Sequence, residues 1–305
     1  MNDEWLEGPV ETPASLTAPG KAFFCDYMSY MTFIQEVHEI AKSADQSSRA
    51  ILDIVSHLRP TAVPKDVIMQ KTDGPYTGTL SIYRHLIAEF VWCKGVDNFL
   101  TYIAQLLGLV FRTCPDTLKS QRQERLDNIL QFKTIDELVD YLAEKRVLSL
   151  SYQGMGNLQA DLLKELGFDL FPDLERLKRA VLIIEDRNLI THNRNVVNNL
   201  YIQRTGADWV KPGVIQKQGL PCTQRCMRFL ANAAVDIDSR AVAKFGLPVK
   251  HLNEECRTCI NKTHRTVPSL GRCDSQKIAA VIAAEQGCSS AEEHEGPGRS
   301  GDSSS

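Results

Sequence analysis

The chain has 305 residues, 43% hydrophobic and 24% charged, the ordinary balance of a folded globular protein with enough length for a sizeable core. Its formal net charge of −3 argues against a general nucleic-acid coat protein but leaves room for a local basic patch. Nine cysteines, an odd number, exclude a complete internal disulfide set, and the absence of a basic-then-apolar opening segment points to reduced thiols in the cytoplasm.

The opening "MNDEWLEGPVETPASLTAPG" is acidic and rich in Pro and Gly, and its first sixteen or so residues read as a flexible arm. From 18 to about 58 the apolar spacing is helical: Phe24, Tyr27, Met28, Met31, Ile34, Val37 and Ile40 recur at steps of three and four. Three prolines and two glycines break the pattern over 59–78. A second long helix is predicted over 80–112, from the spacing of Val96, Leu100, Ile103, Leu107 and Val110. Its apolar stretch 98–111 is too short to span a bilayer and is interrupted by Thr101 and Gln105, so a buried helix and no membrane association are expected. Trp92 and Phe99 are expected in the core, and "YRHL" (83–86) on a helix surface. "TIDELVDYLAEK" begins with a capping box of Thr134 and Glu137. A loop over 149–156 precedes a short helix, 157–168, closed by Gly167. Pro172 suits the first turn of the next helix, which runs to about 192. One or two helices over 224–246 end at Gly246, and 287–305 has almost no apolar residues and reads as disordered. With no sustained strand alternation and no internal repeat, the fold class is all-α. The expected division is an arm (1–17), an N-terminal helical extension (18–75), a helical core (76–210), a C-terminal helical segment (211–265) and a mostly disordered tail (266–305).

One residue beyond the apolar run "AVLII" (180–184) comes "DRNLITHNRNVVNNLY" (186–201), with two arginines, a histidine and five asparagines. On a helical wheel Leu174, Leu177, Val181 and Ile184 form a stripe, and its next positions are Asn188 and His192. These polar groups are therefore expected on the buried face, where they need partners. The bland reading is that they tie this helix to a neighbour. Against it, Asn188 and His192 lie one turn apart, and Arg187 beside them carries a planar fork suited to phosphate. From Arg187 to Arg228 there are also seven Arg or Lys against one acid, Asp208, a local balance of +6 that suits a polyanion such as RNA.

"RNLITHNRNVVNNLYIQRTG" (187–206) resembles the signature of the HEPN superfamily, an Arg followed after four to six residues by a His, with a polar residue directly after the Arg. Arg187, Asn188 and His192 fill those places. Asn193, the following Val-Val-Asn and a Tyr are similar to the HEPN group related to RNase LS and PSP-type nucleases, and the likeness covers about 86–210. The resemblance implies an all-helical, HEPN-like bundle that forms a homodimer. Two motifs would meet across its interface as a metal-independent endoribonuclease site. It departs from the HEPN group that pairs with nucleotidyltransferases, which has a Tyr two residues after the His. Arg194 stands there, so tyrosine modification is not supported.

Those residue types suit RNA cleavage by attack of its own 2′-OH. Histidine exchanges protons near neutral pH, arginine balances charge on the non-bridging oxygens, and asparagine orients either. The catalytic set is thus Arg187, Asn188 and His192. RNA contacts are assigned to Asn193, Arg194, Arg204, Lys211 and Lys217. No cofactor and no metal are expected: Cys222, Cys226, Cys256 and Cys259, with His264, have spacings that zinc could use, but they read as thiols. Two function classes stay open. One is an RNA hydrolase, a nuclease of defence or stress response. The other is a non-catalytic HEPN module that binds RNA or nucleotide, or only dimerises.

Overall fold

A computed structural model of the chain describes residue 10 and residues 13–58, 74–118, 124–151 and 154–252. The elements run β1 (Ser15–Leu16), α1 (Ala18–Leu58), α2 (Pro75–Ile82), α3 (Arg84–Thr113), a 3-10 turn (Pro115–Leu118), α4 (Leu126–Ile129), α5 (Ile135–Ser151), α6 (Met155–Leu166), α7 (Leu174–Asn193), α8 (Asn199–Thr205), α9 (Leu220–Phe245) and β2 (Lys250–His251). The fold is an all-α bundle, with one two-residue antiparallel ribbon, β1 against β2. No described helix is long and apolar enough to cross a membrane.

α3 is the central element, in contact with α1, α5, α7 and α9. Its sequence explains why. Val91, Trp92, Val96, Phe99, Ile103, Leu106, Leu107 and Val110 recur at helical spacing around more than one face, and all are buried. Each such side chain contributes about 1.5–3 kcal/mol by leaving water. Gly95 lets α9 come close: a Cβ there would stand 1.9 Å from Met227 Sδ. At the amino end of α1, Phe23, Phe24 and Tyr27 pack with Phe99 and Tyr102 in edge-on, tilted and stacked pairs.

Helix ends follow the local signals. Glu137 N–H donates to Thr134 Oγ1 at 3.2 Å, while the Glu137 carboxylate reaches one residue further back, to Lys133 N–H at 2.9 Å. Gly167 and Gly246 close α6 and α9 in the left-handed conformation, at φ 58° and 63°. α2 is capped from α1: Asp45 accepts from the backbone of Tyr76 and Thr77 and from the Thr77 hydroxyl.

Several expectations are corrected. The predicted arm is docked where it is described, since Val10 and Leu16 are buried and β1 pairs with β2. The second helix is two, interrupted at Tyr83. Its amide still donates to Thr79, while its own carbonyl starts α3 by accepting from Ile87. Pro172 precedes the first turn of α7, because Asp173 takes the N-cap and accepts from Glu175 N–H at 2.8 Å. α5 runs on to Ser151, so the loop there is shorter than 149–156. Along α1 the stripe is buried only as far as Met31, and Ile40 is exposed. His85 is half-buried rather than a surface group, with Nδ1 3.1 Å from the Gln218 carbonyl oxygen. Cys256, Cys259, His264 and the tail 266–305 lie outside the described residues.

Candidate functional site

α7 packs against α3, α6 and α8. On one side α3 fixes it: Trp92 Nε1 donates to the Ile183 carbonyl at 3.0 Å, and Asn195 Nδ2 donates to Glu89 at 2.7 Å. On the other side α8 and the loop after it pack on Leu189, through a small second core of Val197, Tyr201, Ala207 and Val210. The helix ends in a sharp reversal. Arg194 and Asn195 both take left-handed conformations, at φ 52° and 64°, and Asn195 N–H returns to the Leu189 carbonyl at 3.1 Å. Asn198 then caps α8, its Oδ1 accepting from Tyr201 N–H at 2.8 Å.

Between the end of α7 and α8 lies an open cleft of about 400 Å³, lined by Glu185, Asn188, Leu189, His192, Asn193, Asn198, Leu200, Tyr201 and Arg204. Asn188, His192, Asn193 and Arg204, four of the eight expected site residues, thus come together in one place. His192 is exposed, which corrects the buried-face reading. The wheel stripe holds in its middle, where Leu177, Val181 and Ile184 pack on the core, and fails at its ends: Leu174 is exposed at 61%, and the fully buried positions are Ala180, Ile183, Ile184, Glu185, Asp186 and Leu189.

Arg187 sits beside the cleft, not in its lining. Its Nη2 pairs with Asp97 Oδ1 at 2.6 Å, and its Nη1 donates to Asn188 Oδ1 at 3.1 Å. Asn188 thus joins the guanidinium to the cleft wall. Asn193 uses its amide nitrogen on the Val196 carbonyl, closing the turn after the helix. The cation inside the cleft is Arg204, whose Nη1 lies 3.2 and 3.3 Å from the two Glu185 oxygens. Two of the seven cations in the basic run are therefore already matched by acids outside it. Arg194, Lys211 and Lys217 are exposed.

The carboxylates were missed by the sequence reading. Asp186 is buried, accepting from the Tyr201 hydroxyl at 2.7 Å and from Gln218 Nε2 at 3.3 Å. Burial pushes its carboxyl up to about 7, against the hydrogen bonds from Tyr201 and Gln218. The Tyr201 hydroxyl is raised in turn, first by burial and then by the charge of Asp186. Two acids directly after "VLII" were the available signal. Cys222 and Cys226, one turn apart at the start of α9, are thiols, and the Cys226 thiol is pushed well up by its contact with Cys222 and by burial. No group of three or more His, Cys, Asp or Glu side chains among the described residues is arranged to hold a metal.

No protein-family model, curated protein or solved structure matches this chain.

Proposed function

We propose that the protein is a metal-independent endoribonuclease that cuts RNA at the cleft between α7 and α8 and completes its site with a second copy of the chain. The observation that carries this reading is the exposed imidazole of His192 in a cleft shared with Asn188, Asn193 and Arg204. An exposed histidine is free to exchange protons with a 2′-OH or a leaving 5′ oxygen. Arg204, half exposed in the cleft, would turn its guanidinium from Glu185 to the phosphate, and Asn188, held by Arg187, would orient the groups beside it. One chain brings one such histidine, whereas transfer in both directions uses an acid and a base. The resemblance of "RNLITHNRNVVNNLY" to the HEPN signature agrees with this chemistry. The place of such an enzyme would be in defence or stress response.

A second reading has its own observation. Arg187 is tied to Asp97 and Asn188, and its Nε is buried without a partner among the described residues. A guanidinium held that way also serves a non-catalytic module, as a brace between α3 and α7. Incubating the protein with total RNA in EDTA separates the two. The nuclease leaves 2′,3′-cyclic phosphate and 5′-OH ends, and His192→Ala lowers the rate about a hundred- to ten-thousand-fold. Because His192 is exposed, that change leaves stability within about 0.5 kcal/mol. Intact RNA with folded wild-type protein selects the non-catalytic module.

A further inference from the structure

Residues 206–219 join α8 to α9 as a loop that is pinned at both ends. Ala207 and Val210 are buried in the small core against Leu189. Further on, the loop pairs with the turn after α7. Val197 N–H donates to the Val214 carbonyl, Gly213 N–H to the Val197 carbonyl and Gln216 N–H to the Asn195 carbonyl, each at 2.9 Å. Gln218 is buried against Asp186. Between these anchors Trp209 stands 60% exposed, flanked by the buried Val210 and followed by the exposed Lys211 and Lys217. A tryptophan is the largest apolar side chain and is rarely left this open. Here the backbone on either side is fixed, so the indole is presented rather than merely unpacked.

We infer that Trp209, with Lys211 and Lys217, is a stacking platform for single-stranded nucleic acid that feeds the cleft holding His192. The inference rests on reading that cleft as an RNA site and adds the surface by which the strand is held. Stacking on an indole suits unpaired bases of any sequence, and lysines beside it suit the backbone that runs with them. Charge favours this occupant over a second copy: with the exposed Asp208 counted, Lys211 and Lys217 still leave residues 206–219 net positive, a sign that a two-fold partner would repeat and a phosphate backbone opposes. Ala207 and Val210, on either side of Asp208 and Trp209, share the small core with Leu189 and Tyr201, which line the cleft, and the pairing of 195–197 with 213–216 holds the stretch between Lys211 and Lys217 against the turn that leaves the cleft at Asn193.

The test uses the full chain carrying Trp5→Phe, so that Trp209 and the buried Trp92 are the remaining indoles. A deoxyuridine dodecamer is titrated in, since it lacks the 2′-OH needed for cleavage. Indole fluorescence should be quenched, and binding should weaken with salt by a log–log slope that falls about 0.7 for each of Lys211→Gln and Lys217→Gln. Trp209→Ala, with an unchanged helical circular-dichroism spectrum, should lose affinity for an end-labelled dodecamer, read by its fluorescence anisotropy, by about five- to a hundredfold, and Trp209→Phe should recover part of it. Three results overturn the proposal: no quenching by the dodecamer, quenching by anionic lipid vesicles alone, or quenching that follows protein concentration without ligand. The nuclease reading is judged separately on RNA. Quenching by the dodecamer with intact RNA keeps the platform and removes the nuclease. RNA cleavage with no effect of Trp209→Ala on KM or on the affinity for an end-labelled dodecamer does the reverse.

Discussion

Asp186 and Arg187 are neighbours in sequence with opposite fates, and that contrast is the main lesson at the scale of the residue. Arg187 reaches out to Asp97 and Asn188, whereas Asp186 turns inward to Tyr201 and Gln218. The ordinary carboxyl value of 3.8 applies to the unfolded chain, and burial raises it to about 7 in the fold. The folded protein therefore holds this proton more tightly. The stability so conferred is complete below about pH 4 and is lost as pH rises through the folded value near 7. Asp186→Asn keeps an acceptor for the Tyr201 hydroxyl and cannot ionise. Urea unfolding at several pH values should show wild type losing ground to this variant across that window, by at most about 1.4 kcal/mol per pH unit. A difference that stays flat with pH would show that Asp186 titrates as an ordinary carboxylate.

At the scale of the element, the end of α7 spends conformational energy where a glycine would not. Arg194 and Asn195 are the two non-glycine residues with positive φ among the described residues. The left-handed conformation costs an ordinary residue roughly 1–2 kcal/mol, less for asparagine. Arg194→Gly should therefore raise the urea midpoint, by about 0.5–1 kcal/mol of stability, while Arg194→Ala should not. Equal midpoints for all three would show that the turn is unstrained. Other helix ends were legible beforehand because their signals are local: Gly167, Gly246 and the Thr134–Glu137 box need only their own few residues. The full extent of the buried face of α7 was not legible from a single-helix wheel, which placed Leu177, Val181 and Ile184 on the core but carried the stripe on to the exposed His192. Three partners, α3, α6 and α8, pack on it, so few positions are exposed, His192 among them, while Glu185 and Asp186 face inward. The capture of Arg204 by Glu185 was hidden for a related reason, since nineteen residues and a helix reversal separate them. Asn188, His192 and Asn193 were found in sequence because one turn of one helix places them together.

At the scale of the whole molecule, both ends of the described chain close on the same spot. β1 pairs with β2, and the buried Asp238 of α9 accepts from Thr17 N–H at 2.9 Å and from the Thr17 hydroxyl at 2.5 Å. Removing residues 1–17 takes Val10 and Leu16 from the core and leaves that carboxylate with the Tyr102 hydroxyl at 3.4 Å. A loss on the order of several kcal/mol is expected, read as a lower melting temperature than the full chain. An unchanged melting point would mean that the segment is a passive arm after all. The open cleft raises the other question at this scale, how many chains make one site. His192 faces solvent, and the proposed chemistry uses two proton-transfer groups where one chain places a single histidine. A two-fold partner supplies the second with no further invention, since each copy gives what the other lacks. Light scattering should then report twice the 34.2 kDa of the chain, and activity per chain should fall on dilution. Mixing wild type with excess His192→Ala protein is the sharper measurement. If both histidines serve one cut, subunit exchange drives activity below the share of wild-type chains in the mixture. Activity strictly proportional to wild-type protein would mean that each cleft works alone and the shared site is wrong.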